Sequence, residues 1–181
     1  MAGGSPEIEQ VLALLELAPQ RIAALTADVT PAQLRASPAP AEAEWSVNDV
    51  LAHLRSCADV WGSCIARLLT EDAPTIRAIN PRTWIRQTDY PDLEFRPSLH
   101  AFTTQREELL ALLRPLSQSD WERTATVTGA GSPLQKTVFS YANRLVIHER
   151  PHIKQIARVV DALRQMSNSE DGVRQGSRTI V

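Results

Sequence analysis

The chain has 181 residues and a mass of 20.0 kDa, a size that suits one domain with a buried core. Hydrophobic residues make up 43% and charged residues 22%, and the formal charge is -2. This is the composition of a globular protein, without the basic excess that marks a nucleic-acid or anionic-membrane partner.

The first periodic segment runs from about Pro6 to Ala27, with Ile8, Val11, Leu12, Leu15, Ile22 and Leu25 at helical spacing. Ser5 before Pro6 supplies a cap and a first-turn proline. Thr30-Pro31 and Ser37-Pro38-Ala39-Pro40 then mark a connector. A second helix starts at Ser46, where Asp49 completes a capping box and Trp45 and Val50 form a hydrophobic staple. It carries Leu51, Leu54, Ala58, Trp61, Ile65 and Leu68, and it stops before Pro74. His53 lies on it.

Asp72 to Pro97 is an irregular connector punctuated by Pro74, Pro81, Pro91 and Pro97, with a short helix expected from about Ile76 to Trp84. A connection of this length between helices covers a site or is itself functional. A third helix is expected from Ser98 to about Leu116, its stripe formed by Leu99, Phe102, Arg106, Leu109, Leu110 and Leu113. Ser119 to Arg123 suits a short helical turn, and Thr124 to Thr128 a weak extended segment ended by Gly129-Ala130-Gly131.

Ser132-Pro133-Leu134-Gln135 reads as the start of the fourth helix, which continues to about Met166 with Pro151 kinking its interior. The expected organisation is therefore an all-α four-helix bundle over residues 1–166 and a polar C-terminal tail over 167–181, with the long loop between the second and third helices. Met1 to Glu7 lack the basic and apolar parts of a signal peptide, and no apolar run is long enough to span a bilayer, so the cytoplasm is the expected location. Cys57 and Cys64 lie about 10 Å apart by helical rise, too far for an unstrained disulfide with each other.

The chemical signal is His148-Glu149-Arg150-Pro151-His152. Two histidines four residues apart on a helix point to one side and can share a divalent metal. Firm binding needs a third protein donor, and His53 sits among core-type residues on the second helix. For any one of these histidines alone, a satisfied position at the core boundary is the ordinary explanation. The five residues also fit the zinc-protease pattern H-E-x-x-H. Arg150 and Pro151 inside the pattern, and the lack of a substrate-binding strand, speak against that reading. Glu149 is then expected as a solvated helix-face residue, as are Asp59 and Arg55. Cys57, four residues after His53, is expected as small core filling, with a soft ligand or thiol beside the site as the alternative. His100 is expected at the surface, and Trp61, Trp84 and Trp121 in packing.

Trp45-Ser46-Val47-Asn48-Asp49-Val50-Leu51-Ala52-His53-Leu54 resembles the second-helix signature of the DinB-like superfamily, also described as YfiT-like metal-binding bundles. His148 and His152 followed by Gln155-Ile156 resemble its fourth-helix motif, and Arg106 to Trp121 its third helix and following turn. The resemblance covers roughly residues 8–165. It implies an up-down-down-up bundle, frequently a homodimer, with a divalent metal, zinc or nickel, on His53, His148 and His152. It further implies a metal-dependent transferase in which a low-molecular-weight thiol attacks a small electrophilic substrate. A metal- or ligand-binding stress protein without turnover is the alternative, and a dimerisation bundle with empty histidines is a third reading.

Overall fold

The computed structural model describes residues 5–37 and 45–176, with 167–176 described by their backbone alone. Four long helices carry the fold: α1 (Pro6–Leu25), α3 (Val47–Thr70), α5 (Phe95–Leu113) and α7 (Val138–Gly176). Between them lie α2 (Pro31–Arg35), α4 (Pro81–Trp84) continued by a 3-10 turn over Ile85–Gln87, and α6 (Gln118–Trp121). Three short strands, β1 (Thr75–Arg77), β2 (Thr124–Thr128) and β3 (Leu134–Thr137), form one sheet in the order β1-β2-β3. No helix among the described residues is long and apolar enough to cross a membrane.

Side-chain contacts fix the helix directions. Arg55 on α3 donates to Ser98 at 3.1 Å, and Gln105 donates to Asp59, so α3 and α5 run parallel. Arg96 donates to the Thr26 carbonyl at the end of α1, and Arg114 reaches Glu16 at 2.7 Å, so α1 runs against α5. His53 meets His152 with ring centroids 4.9 Å apart, and Trp61 meets Arg144 at 4.7 Å, so α7 runs against α3. The result is the up-down-down-up bundle. α1 packs on α5 and α7, and α3 packs on the same two, which sets α5 and α7 across a diagonal.

That diagonal is bridged inside the core. Arg106 of α5 donates to Glu149 of α7, and their side chains are only 2% and 4% exposed. Glu149 is therefore not the solvated residue that its neighbours suggested. Burial raises its carboxyl pKa above the usual carboxylate range, and the Arg106 guanidinium opposes that rise. The apolar residues around the pair, Phe102, Leu145 and Ile156, are fully buried.

Other boundaries depart from the sequence pattern for local reasons. The helix expected from Ile76 begins only at Pro81, because Thr75-Ile76-Arg77 pairs in parallel with Thr126-Val127-Thr128. The cap expected at Ser132 is replaced by a strand: Leu134–Thr137 pairs antiparallel with β2, and the Gln135 side chain donates to Thr126 at 2.9 Å. Gly129 and Gly131 take positive φ in the turn between them, a conformation glycine adopts without strain. The α7 cap moves to Thr137, which exchanges bonds with Ser140 at 2.9 and 3.0 Å. α5 begins at Phe95, three residues before Ser98, so Pro97 falls in its first turn, where its missing N–H has no helical partner to lose.

Pro151 does not break α7. It is exposed, as are Arg150 and Ile147 on the preceding turn, so the backbone bond that proline cannot make is lost on a solvent-facing stretch of the helix. The helix also passes the expected end at Met166 and runs to Gly176, while residues 177–181 of the expected tail lie outside the described residues, as do Pro38, Ala39 and Pro40.

The buried ion pair makes a stability prediction. Arg106→Leu leaves an uncompensated buried carboxylate and lowers unfolding free energy by about 3–5 kcal/mol. The double substitution Arg106→Leu/Glu149→Leu recovers most of that loss. Chemical denaturation of the three chains, at equal metal content, measures both values.

Candidate metal centre

The Ser46 capping box starts α3 with fixed phase: the Ser46 hydroxyl accepts from the Asp49 N–H at 3.1 Å, and Asp49 accepts from the Ser46 N–H at 3.0 Å. Two turns on, this phase turns His53 toward α7. Glu149, held by Arg106, fixes the phase of α7. His148, one residue earlier and about 100° round the helix, then faces α3. His152 follows on the same side.

The three expected histidines come together. Ring centroids are 5.0 Å apart for His53 and His148, 4.9 Å for His53 and His152, and 4.7 Å for His148 and His152. His53 Nε2 and His148 Nε2 face each other at 3.3 Å. Cys57 stands with these two, its Sγ 3.6 Å from His53 Nε2 and 3.9 Å from His148 Nε2, so that the donor atoms of His53, Cys57 and His148 all lie within 4.8 Å of one another, a group that does not include His152. Cys57 is 1% exposed, so it is core filling, as expected, and a neighbour of the donors as well. Trp61 stands edge-on to His148 at 4.9 Å, and Trp45 stacks on His152 at 6.1 Å. His100 is exposed and takes no part.

These spacings fit a metal. Two imidazole nitrogens at the usual zinc distance of about 2.0–2.1 Å, across a tetrahedral angle, stand roughly 3.3 Å apart. That is the separation of the two Nε2 atoms. His148 Nδ1 is buried without a protein partner, so the ring has no competing protein bond that would turn Nε2 away. His152 Nδ1 lies 3.0 Å from Gln155 Oε1, an acceptor, which places the proton on Nδ1 and leaves Nε2 with its lone pair. Metal-binding histidines are commonly oriented by such a bond from the other nitrogen.

Electrostatics prepare the same state. Burial holds His53 down to about 4, helped by the charges of His152 and Arg82. Burial likewise holds His148 down to about 4, helped by His152, His53, Arg144 and Arg82. Both are neutral, lone-pair donors at neutral pH. Burial pushes the Cys57 thiol up to about 12, with Glu149 adding to the rise.

A cleft of about 740 Å³ opens beside the histidines, with His53 and His152 in its wall and Trp45, Ala52 and Gln155 around them. The connector contributes Arg82, Ile85, Arg86 and Pro91 to its lining. It is fastened to α3 by side chains. Ser56 donates to the Pro81 carbonyl at 2.7 Å, and Asn48 donates to the Pro91 carbonyl at 3.0 Å. Asp59 accepts from the Trp84 indole at 3.2 Å and from the Tyr90 hydroxyl at 2.8 Å. Arg55 stacks on the Tyr90 ring at 3.8 Å. Asp59 and Arg55, expected as solvated, are thus the anchors of the connector.

Residues 14–156 match the DinB superfamily model. The chain belongs to the DinB superfamily. A candidate metal-dependent hydrolase of Geobacillus kaustophilus is 28% identical over 124 residues, a match spanning 64% of each chain. The solved structure of YfiT from Bacillus subtilis, described as a candidate metal-dependent hydrolase with an unusual four-helix bundle topology, superposes with a TM-score of 0.74. That likeness covers 92% of both chains at 22% identity and establishes the shared fold.

The lowered histidine pKa values set a pH dependence. An unfolded chain takes up protons on these rings below about 6.5, while the folded, metal-free chain resists until about 4. Folding stability from this source is therefore full above pH 6.5 and declines as pH falls toward 4. Thermal unfolding of metal-free protein across that range shows the decline, and His53→Ala flattens it.

Proposed function

We propose that this DinB-superfamily protein is a metal-dependent enzyme acting on a small electrophile, with His53, His148 and His152 holding one divalent ion. The observation that carries the proposal is the convergence of three imidazoles from two helices beside an open cleft, with two nitrogens at a metal-spanning distance. The names of the hydrolase relatives support metal dependence. Zinc or nickel suits a site of neutral nitrogen donors.

The bound ion would lower the pKa of a thiol or water and polarise the electrophile. The chain does the rest. His53 and His148 supply neutral nitrogens without first shedding protons, because burial has already removed them. Gln155 orients His152. Trp61 and Cys57 close the inner side, so access comes through the cleft that His53 and His152 border. Cys57 stays a thiol, since ionising it means placing an anion in an apolar site near the Glu149 carboxylate. Three donors rather than four leave a coordination position for substrate or nucleophile.

We assign the nucleophile as a low-molecular-weight thiol, because the cleft has room for a second organic molecule beside the electrophile. Water is the second reading, and the hydrolase names of the relatives favour it. Metal-loaded protein incubated with an activated electrophile, with and without glutathione-sized thiols, separates the two. A thiol adduct supports transfer, and a thiol-independent hydrolysed product supports hydrolysis. The absence of both overturns the enzyme reading.

The donor set has its own expected outcome. His53→Ala and His148→Ala lose bound metal, and Gln155→Leu weakens metal affinity by about 10–100-fold. Cys57→Ala retains metal. Metal analysis after native purification reads all four, and loss of metal from Cys57→Ala would instead assign the sulfur as a closing ligand.

A further inference from the structure

The connector brings two cations to the cleft whose guanidinium forks hold no anion of the chain. Arg82 and Arg86 are four residues apart on the continuous helical turn formed by Pro81–Trp84 and Ile85–Gln87, so they share a face. Both line the cleft that His53 and His152 also line. Several neighbouring arginines are committed elsewhere: Arg55 to Ser98 and Tyr90, Arg67 to Glu71, and Arg96 to the carbonyls after α1, while Arg77 lies on β1 and does not line the cleft. Among the described residues, neither Arg82 nor Arg86 has a carboxylate or carbonyl partner. The Arg82 guanidinium lies 6.0 Å from the centre of the Trp45 ring, and its charge is felt by His53 and His148.

The one carboxylate in the cleft wall is Asp49, and one of its oxygens is tied to the N–H and hydroxyl of Ser46 in the α3 cap. Two cations therefore face one carboxylate that already has donors. Guanidinium forks match the oxygens of carboxylate and phosphate groups, and their charge counts for more in a walled cleft than in open water. The turn that carries the forks is not loose. Asn80 caps it by accepting from the Arg82 N–H at 2.9 Å, Ser56 holds Pro81, and Asp59 holds Trp84. The same cleft is also lined by Trp45, Ala52, Ile85 and Pro91, which give it apolar surface.

We propose that the substrate is a small organic acid whose carboxylate or phosphate is gripped by Arg82 and Arg86 while its apolar body lies across Trp45 and Ile85 and its reacting atom faces His53 and His152. This rests on the reading of the histidine cluster as the reactive centre and names the class of molecule it takes. The arginines bind and orient, and bulk solvent keeps the acid group ionised near neutral pH.

Calorimetric titration of the purified full-length chain with benzoate, phenyl phosphate and the neutral benzamide tests the clamp, with metal content measured on the same samples. The wild-type chain binds at least one acid at about 10 mM or below, and binds benzamide at least about tenfold more weakly. The tighter acid tells carboxylate from phosphate. Arg82→Ala/Arg86→Ala loses the preference for the acid while keeping the wild-type metal content and unfolding midpoint. Arg21→Ala, on α1 and outside the cleft, keeps the preference. Acid binding that persists in the double variant, equal binding of benzamide, or no saturable binding of either acid overturns the assignment. An acid preference in protein that binds no metal supports the clamp and removes the metal reading, so the two failures are distinguishable.

Discussion

The constraint on which the remainder depends is the ion pair of Arg106 and Glu149 inside the bundle. Two charges in an apolar interior are costly, and they persist there only as a pair. The pair joins α5 to α7 across one diagonal of the bundle, and so fixes the rotation of α7 from the side away from α3. Rotation matters because neighbouring residues on a helix differ by about 100°. With Glu149 turned inward to Arg106, His148 and His152 are turned to α3. A slip of one residue would aim a carboxylate at the histidine of α3. Apolar residues at both positions would recover most of the stability, but would leave the phase of α7 less strictly set.

The second constraint lies on α3, whose two faces do different work. One face presents His53 and Cys57 to α7. Another holds Ser56 and Asp59, which bind the connector's carbonyl, indole and phenol groups. The carboxylate of Asp59 ties together the connector, through Trp84 and Tyr90, and α5, through Gln105. A long loop pays ordering entropy in proportion to the residues it fixes, and these bonds offset it. One helix therefore positions both walls of the cleft, and their spacing does not depend on a flexible hinge.

Much of this was legible in the sequence where the signal was periodic. The four long helices, the α3 cap and the meeting of His53 with His148 and His152 follow from apolar spacing and from the i,i+4 histidine pair. The charge of Glu149 suggests solvent, and its position on the helix says otherwise. It lies on the stripe Ala142, Leu145, Glu149, Ile156, Val160, all buried, and Arg106 lies on the matching stripe of α5. A charge of each sign on two core stripes is a signal of a buried pair. The strands were hidden for another reason. Ser132-Pro133 is a sound local helix start, and only the pairing of Leu134–Thr137 with the threonine-rich β2, which is a tertiary effect, overrides it. Asp59 and Arg55 gave no local signal, since their partners lie on other segments, 25 to 46 residues away.

The division between bundle and connector has a functional consequence. The histidines stand on long helices whose rotation is fixed by core charge and core packing, so changes there disturb the fold itself. The cleft's other wall is a short turn whose exposed side chains, Arg82 and Arg86, contribute little to the core. Its backbone is held by Ser56, Asn80 and Asp59 rather than by those two side chains. Residues at those two positions can therefore vary in charge and length without moving the donors across the cleft. In the proposed function, reactivity is set by the part of the molecule least free to change, and substrate choice by a part that the fold leaves free.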